Sequence, residues 1–97
     1  MNRDHNEEPL GDVIDRLLKA YGLEEGYYAA AIITYWEKMM GPAIARRTKG
    51  VKLQKGKLII TVDSAPLREE LSYASERITE KVNREIGHRI VNSVELR

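Results

Sequence analysis

The sequence has no cysteine among its 97 residues. This absence excludes a disulfide framework, a thiolate nucleophile and cysteine-ligated zinc or iron–sulfur centres. Long apolar runs are missing too, since the longest, at residues 27–33, is far shorter than the ~20 residues of a membrane-spanning helix. The N-terminus is polar and lacks the apolar core of a secretory signal. We therefore expect a protein of the reducing cytoplasm that does not enter a membrane.

The motifs of the common enzyme classes are also absent. No glycine-rich phosphate loop follows a strand, and there is neither a G-x-S-x-G motif nor a zinc-ligand spacing. His5 and His88 have no partner motif, and we interpret both as surface residues. Asp12 and Asp15 lie about one helical turn apart and could chelate a cation, but a solvated helix face is the simpler interpretation. The sequence thus predicts no catalytic residue, no metal or cofactor and no small-molecule substrate.

Chain length and apolar periodicity indicate one small α+β domain. Residues 1–8 have no apolar residue after Met1, and we expect a disordered lead-in before a single domain at residues 9–97. The period is helical at residues 9–21 and 24–40, alternates in two strands that turn at Lys55-Gly56, is helical again to Gly87, and alternates from Arg89 to Leu96. The order α-α-β-β-α-β predicts a three-stranded sheet with the helices packed on one face.

The first and third predicted helices each have an apolar face. In the first helix the apolar residues recur at three- and four-residue steps, and the opposite face is predicted to be in water; the apolar positions are Leu10, Val13, Ile14, Leu17, Leu18 and Tyr21, and the polar ones Asp12, Asp15, Arg16 and Lys19. In the third long helix, Leu71 and Ile78 are the residues that we expect to be most important for the core.

Positive charge is concentrated in one short segment. Residues 41–57 contain six cations and no anion, although the net charge of the whole chain is only +1. The six are Arg46, Arg47, Lys49, Lys52, Lys55 and Lys57. They could neutralise nucleic-acid phosphates, or they could be ordinary solvated residues of an edge strand and its loop. No aromatic residue lies among them, so the nucleic-acid interpretation is restricted to weak, sequence-independent contact with phosphates.

Trp36 has two interpretations. It lies on the apolar stripe of the second helix, which favours a core anchor. Tryptophan is also over-represented at protein interfaces, so it could instead contact a partner. Its neighbour Tyr35 could belong to the core or to the same patch.

An ordered set of residues after position 35 resembles a known family. The pattern is Trp36-x-x-Met39-x-Gly41-Pro42-x-Ile44-Ala45-x-x-Thr48, then Leu53-x-x-Gly56-x-Leu58-x-Ile60-x-Val62-x-Ser64, then Leu67-x-x-Glu70-Leu71, Ile78, Val82-Asn83-x-x-Ile86-Gly87 and a last strand from Ile90 to Leu96. It is similar to the bacterial DciA-like family, long catalogued as a domain of unknown function. The resemblance implies a KH-like fold and a non-ATPase role in replication initiation, with the replicative DNA helicase as partner and with binding of single-stranded or structured DNA.

The resemblance also bears on single positions. Trp36 matches the tryptophan of the family pattern, and Leu67 lies where many relatives have a second tryptophan, so Trp36, Tyr35 and Leu67 are the candidate partner-binding residues. The chain has no GxxG loop, by which KH domains clamp nucleic acid, and we expect it to lack the long extension that many relatives carry.

Three functional hypotheses follow. The first is a non-enzymatic helicase loader that contacts DNA weakly through the basic hairpin. The second is a protein-interaction module that does not bind nucleic acid. The third, a small enzyme or an RNA-binding regulator, requires that a ligand or metal copurify with the protein.

Overall fold

The computed structural model describes residues 8–97, and most of the predicted lead-in at residues 1–8 therefore lies outside the described residues. Within them the predicted order of helices and strands is confirmed. The elements are α1 (Leu10–Tyr21), α2 (Glu24–Thr34), α3 (Trp36–Met40), α4 (Pro42–Arg47), β1 (Thr48–Gln54), β2 (Lys57–Val62), α5 (Ala65–Tyr73), α6 (Ser75–Ile86) and β3 (Ser93–Leu96).

Two helices predicted to be continuous are each interrupted at one residue. Tyr35 (φ −101°, ψ 13°) separates α2 from α3, and Ala74 (φ −98°, ψ 12°) separates α5 from α6. Both residues have backbone angles near the bridge region between the helical and extended basins. Buried residues occur on both sides of each interruption, for example Ile32 and Trp36. Their four-residue spacing continues the helical period across the interruption, which is why periodicity did not reveal it.

The three strands form one mixed sheet in the order β1-β2-β3. β1 and β2 are antiparallel and β2 and β3 are parallel, with Leu53 opposite Leu58 and Leu58 opposite Val94. Lys55 (φ 49°) and Gly56 (φ 81°) form the two-residue turn between β1 and β2, and positive φ at both positions is the requirement of a type I′ turn. The predicted tight hairpin is confirmed.

The core lies between one face of this sheet and the helices. Its buried residues are Tyr28, Ile32, Trp36, Met39, Leu53, Leu58, Ile60, Val62, Leu71, Ile78, Val82 and Val91. Leu71 and Ile78 are 6% and 5% exposed, as predicted. The opposite face, which we call the outer sheet face, carries exposed polar residues such as Lys52, Lys57 and Thr61. The α+β class is thus confirmed, and the arrangement is consistent with a KH-like fold.

The last strand begins four residues later than predicted, because a side chain takes over the backbone hydrogen bonds before it. The Asn83 Oδ1 atom accepts from the backbone N–H groups of Ile90 (3.0 Å) and Val91 (2.9 Å), and Asn83 Nδ2 donates to the Val91 carbonyl at 2.9 Å. Val91 is only 1% exposed, so this irregular segment still contributes to the core.

The orientation predicted for α1 is wrong. No residue of this helix is buried, and Leu10, Leu17 and Tyr21 are 73%, 50% and 74% exposed. Asp15, predicted to lie on the wet face, is half-buried: the Tyr28 hydroxyl donates to Asp15 Oδ1 at 2.9 Å, and His88 Nε2 lies 3.1 Å from Asp15 Oδ2. The contacts of Asp15 with Tyr28 and His88 hold α1 in an orientation that leaves much of its apolar stripe in water.

Candidate nucleic-acid interface

The six basic residues predicted to contact nucleic acid lie along strand β1 and at its two ends. Gly41 (φ 88°, ψ 159°) and Pro42 begin α4, and Thr48 follows α4 directly as the first residue of β1. Arg46, Arg47 and Lys49 therefore lie at the start of β1, Lys52 on its outer face, and Lys55 and Lys57 at the turn. All six are exposed. We call residues 46–57 the basic hairpin; β1 alone is about 20 Å long.

One carboxylate at the start of β1 is shared by two cations. Asp63 Oδ1 lies 3.7 Å from Arg47 Nη1, and Asp63 Oδ2 lies 3.3 Å from Lys49 Nζ. The backbone N–H of Asp63 donates to the Arg47 carbonyl at 3.0 Å, so the carboxylate is held close to both cations. The side chains are 34–59% exposed, and such pairs are individually weak and leave the cations accessible to water.

A second carboxylate is shared on the outer sheet face. Glu95 contacts Lys57 Nζ at 3.3 Å and also accepts from Arg97 Nε. The hydrogen bond from Arg97, and secondarily that from Lys57, lowers the pKa of the Glu95 carboxyl below its ordinary value. Arg97 lies beside Thr61, because its N–H donates to the Ile60 carbonyl and its carbonyl accepts from Val62 N–H. It thus adds a seventh cation to this region.

A third carboxylate approaches the turn. Glu25 of α2 accepts a hydrogen bond from the backbone N–H of Lys55, not from its ammonium group. The seven cations and three carboxylates together leave this region with a net charge of +4. Within residues 8–97, Arg46, Lys52 and the Lys55 ammonium have no carboxylate within 4.0 Å.

The chemistry of the outer sheet face suits a phosphate backbone better than stacked bases. Ile59 lies at its centre, opposite Lys52 and beside Glu95, and is only 5% exposed. Its other residues include Gly50, Gln54, Thr61 and Ser93, and no aromatic side chain belongs to the three strands. Lysine and arginine supply charge to phosphates without a ring on which bases could stack.

The three residues predicted to bind a partner occupy different environments. Trp36 is 5% exposed, and its Nε1 atom donates to Thr48 Oγ1 at 3.0 Å, as expected for a core anchor. Tyr35 is 53% exposed and lines a groove with Ile14 of α1. Leu67 is half-buried in the first turn of α5, where it packs against the core.

Sequence reasoning missed Asp63, Glu95 and Arg97 as parts of the charged surface, and the Asp15 contacts with Tyr28 and His88. Asp63 directly follows β2, and an acidic residue at a strand end beside a basic partner strand could have signalled its pairing. The positions of Glu95 and Arg97 depend on the parallel register of β3, which the pattern alone does not define.

Within residues 8–97, no three histidine, aspartate or glutamate side chains cluster in a way that could hold a metal ion. No helix of this part of the chain has the length and apolar character needed to cross a bilayer.

Comparison with known proteins adds a family match. The profile of a family described as "Dna[CI] antecedent, DciA" matches residues 9–96. A "UPF0232 protein" of Corynebacterium glutamicum (strain R) is 24% identical over 89 residues, which are 92% of this chain and 50% of that protein. The chain thus spans about half the length of this curated relative. No solved structure matches the chain.

Proposed function

Because the chain belongs to the DciA family, which implies a role in loading of the replicative helicase, we propose that it is a non-enzymatic accessory protein of replication initiation. It binds the replicative DNA helicase and contacts DNA through the basic hairpin. It acts in the cytoplasm and needs no cofactor or small-molecule substrate. The family is of the helicase-loader type and is not a known enzyme family.

The proposed DNA contact is supported by one observation, which is that two cations share a single carboxylate in each of two clusters. Arg47 and Lys49 contact the single carboxylate of Asp63, and Lys57 and Arg97 contact the single carboxylate of Glu95. Each cluster therefore keeps an excess positive charge, because one anion cannot neutralise two cations. Phosphates can add to such a cluster without displacing the ion pairs already present.

The unpaired cations extend the same surface. Lys52 lies on the outer face of β1 opposite Ile59, which lies opposite Glu95 of β3, and Lys55 lies at the turn. A single strand that crosses the outer sheet face from β1 would meet about four positive charges in excess. Such contact is sensitive to salt and independent of sequence, since it is made with phosphates and not with bases. We therefore propose weak binding of single-stranded or structured DNA.

The test compares two double variants with equal changes of net charge. Lys52→Glu/Lys55→Glu changes the basic hairpin, and Arg77→Glu/Arg84→Glu changes exposed cations of α6. Fluorescence anisotropy of a labelled single-stranded oligonucleotide at about 50 mM salt should show at least tenfold weaker binding for the hairpin variant. The α6 variant should bind at most about threefold more weakly than the unaltered protein. Equal losses in both variants would indicate that only net charge matters, which contradicts a site at the hairpin.

One observation favours the alternative, a protein-interaction module that does not bind nucleic acid. Arg47, Lys49 and Lys57, half of the predicted contacts, already have carboxylate partners. If the pairs neutralise the hairpin, the unaltered protein will not retard the oligonucleotide but will still form a complex with the replicative helicase. Biolayer interferometry with the helicase, run beside the anisotropy titration, separates the two functions.

A further inference from the structure

The surface formed by α1 and α2 exposes more apolar side chain than a solvated face requires. We define the α1–α2 apolar surface by the stripe Leu10, Ile14, Leu17 and Tyr21 of α1 together with Tyr27 and Tyr35. Five of these six residues are at least half exposed, and Ile14 is 36% exposed. Contiguous exposed apolar patches on soluble domains commonly mark interaction sites.

The shape of this surface suits a helix. The α1 stripe has the spacing i, i+4, i+7, i+11, which places its four side chains in one row along the helix. Beside the row, a groove of about 270 Å³ has Tyr27, Tyr35 and Ile86 among its lining residues. A row of apolar side chains next to a shallow groove is the geometry with which proteins receive the apolar face of an amphipathic helix.

Polar contacts maintain this exposure. Asp15 lies to one side of the apolar row and is bound by the Tyr28 hydroxyl and by His88. Tyr28 is itself only 4% exposed, so Asp15 is bound to a side chain that belongs to the core of the domain. An α1 helix held only by hydrophobic contact would turn its apolar row inward, whereas the Asp15 contacts hold that row outward.

The surroundings of the surface are acidic. Residues 8–40 contain six carboxylates and three cations, one of which, Arg16, is paired with Glu8. Asp15 and Glu85 both line the groove. A partner with lysine or arginine beside its apolar stripe would therefore be attracted.

We infer that the α1–α2 apolar surface docks an amphipathic helix of a partner protein whose apolar stripe is flanked by lysine and arginine. The inference rests on the proposed function only for the identity of the partner, which we take to be the replicative helicase. A second copy of this chain would bring two acidic rims together, and an anionic membrane would be repelled by the same rim.

The test uses two double serine variants that are matched in side-chain type and exposure. Leu17→Ser/Tyr21→Ser changes residues that are 50% and 74% exposed on the surface, and Ile33→Ser/Tyr73→Ser changes residues that are 55% and 80% exposed elsewhere. In biolayer interferometry with the host's replicative helicase, the first variant should bind at least tenfold more weakly and the second within about twofold of the unaltered protein. Oligonucleotide binding should be unchanged in both.

A charge variant tests the same surface without removing apolar side chains, so its result does not depend on whether the serine variants fold. Glu85→Lys leaves the apolar side chains in place, and it should weaken helicase binding at least threefold at about 50 mM salt and less at 300 mM. If the unaltered protein binds the helicase and all variants bind equally, the inference is wrong and the proposed function stands. If the unaltered protein does not bind the helicase, the proposed function fails at that step and the inferred partner with it.

Two further outcomes would assign the surface to another occupant and overturn the inference. One is a dimer, seen by sedimentation velocity, that Leu17→Ser/Tyr21→Ser dissociates. The other is cosedimentation of the protein with phosphatidylglycerol vesicles that the same variant abolishes.

Discussion

The indole Nε1 of Trp36 donates a hydrogen bond to the Thr48 hydroxyl at 3.0 Å, and that hydroxyl donates to the Ile44 carbonyl at 2.8 Å. This relay joins α3 and α4 to the first residue of β1. All three residues belong to the pattern by which the chain resembles the DciA-like family. The pattern therefore has a structural meaning here, since it sets where the basic hairpin leaves the helices.

Replacing Trp36 by phenylalanine should destabilise the fold. The change removes the donor to Thr48 and leaves a space in a buried site, so the free energy of unfolding should fall by about 2–4 kcal/mol. Urea unfolding followed by circular dichroism measures this loss. The matched change Tyr35→Phe, at a 53% exposed position, should alter stability by less than about 0.5 kcal/mol. A stable Trp36→Phe protein would show that the relay contributes little.

Truncation of an aliphatic residue should destabilise the protein much more in α6 than in α1. Ile78→Ala removes a 5% exposed side chain and should cost about 2–5 kcal/mol, whereas Leu17→Ala changes a half-exposed one and should cost less than about 1 kcal/mol. Both residues lie on apolar stripes of comparable regularity, so the difference tests the observed orientation of α1. Similar losses in urea unfolding would mean that α1 buries its stripe in solution.

Alkaline pH should destabilise the protein through Tyr28. Burial, and secondarily its hydrogen bond to Asp15, raises the pKa of Tyr28 from 10.0 to about 12. Between pH 10 and 12 the unfolded chain has lost this proton and the folded chain retains it, so stability decreases as pH rises through that range. Tyr28→Phe should show a smaller decrease, which thermal melts at a series of pH values can measure. Absorbance at 295 nm should also show a tyrosine ionisation near pH 12 in the folded protein, and this step should be missing in Tyr28→Phe.

Gly56→Ala should destabilise the hairpin for two reasons. Gly56 has φ +81°, which is unfavourable for alanine, and a Cβ atom there would lie 2.3 Å from Asn92 Nδ2. The Asn92 side chain can move, so the loss should be dominated by the backbone and amount to about 1–3 kcal/mol. Gly11→Ala is the control, because Gly11 is in α1 with no atom within 4 Å of a new Cβ, and it should be neutral or slightly stabilising. Equal stability of the two variants would contradict the type I′ turn.

DNA binding should have a moderate salt dependence. About four excess charges on the basic hairpin and the outer sheet face correspond to a slope of about −3 in a plot of log K against log salt for single strands. Anisotropy titrations between about 25 and 200 mM potassium chloride measure this slope. Lys52→Glu/Lys55→Glu should reduce its magnitude, and an unchanged slope would show that the DNA binds elsewhere.

Much of this fold was determined by local sequence. Helical and alternating periods defined the order of the elements, because each residue's position on a helix or strand face depends only on its neighbours along the chain. Lys55-Gly56 specified the hairpin because a turn of two residues requires positive φ. The concentration of cations at residues 46–57 was likewise visible without coordinates.

Only the tertiary structure decided which of these features are covered and which are paired. Asp15 meets Tyr28 and His88, and Asp63 meets Arg47 and Lys49, through contacts between elements whose relative placement no local period encodes. Trp36 is buried and its neighbour Tyr35 is exposed, and only the packing of the helix against the sheet showed which of the two the core covers. Contacts between residues distant in the chain therefore determined the outward apolar row of α1 and the partial neutralisation of the basic hairpin.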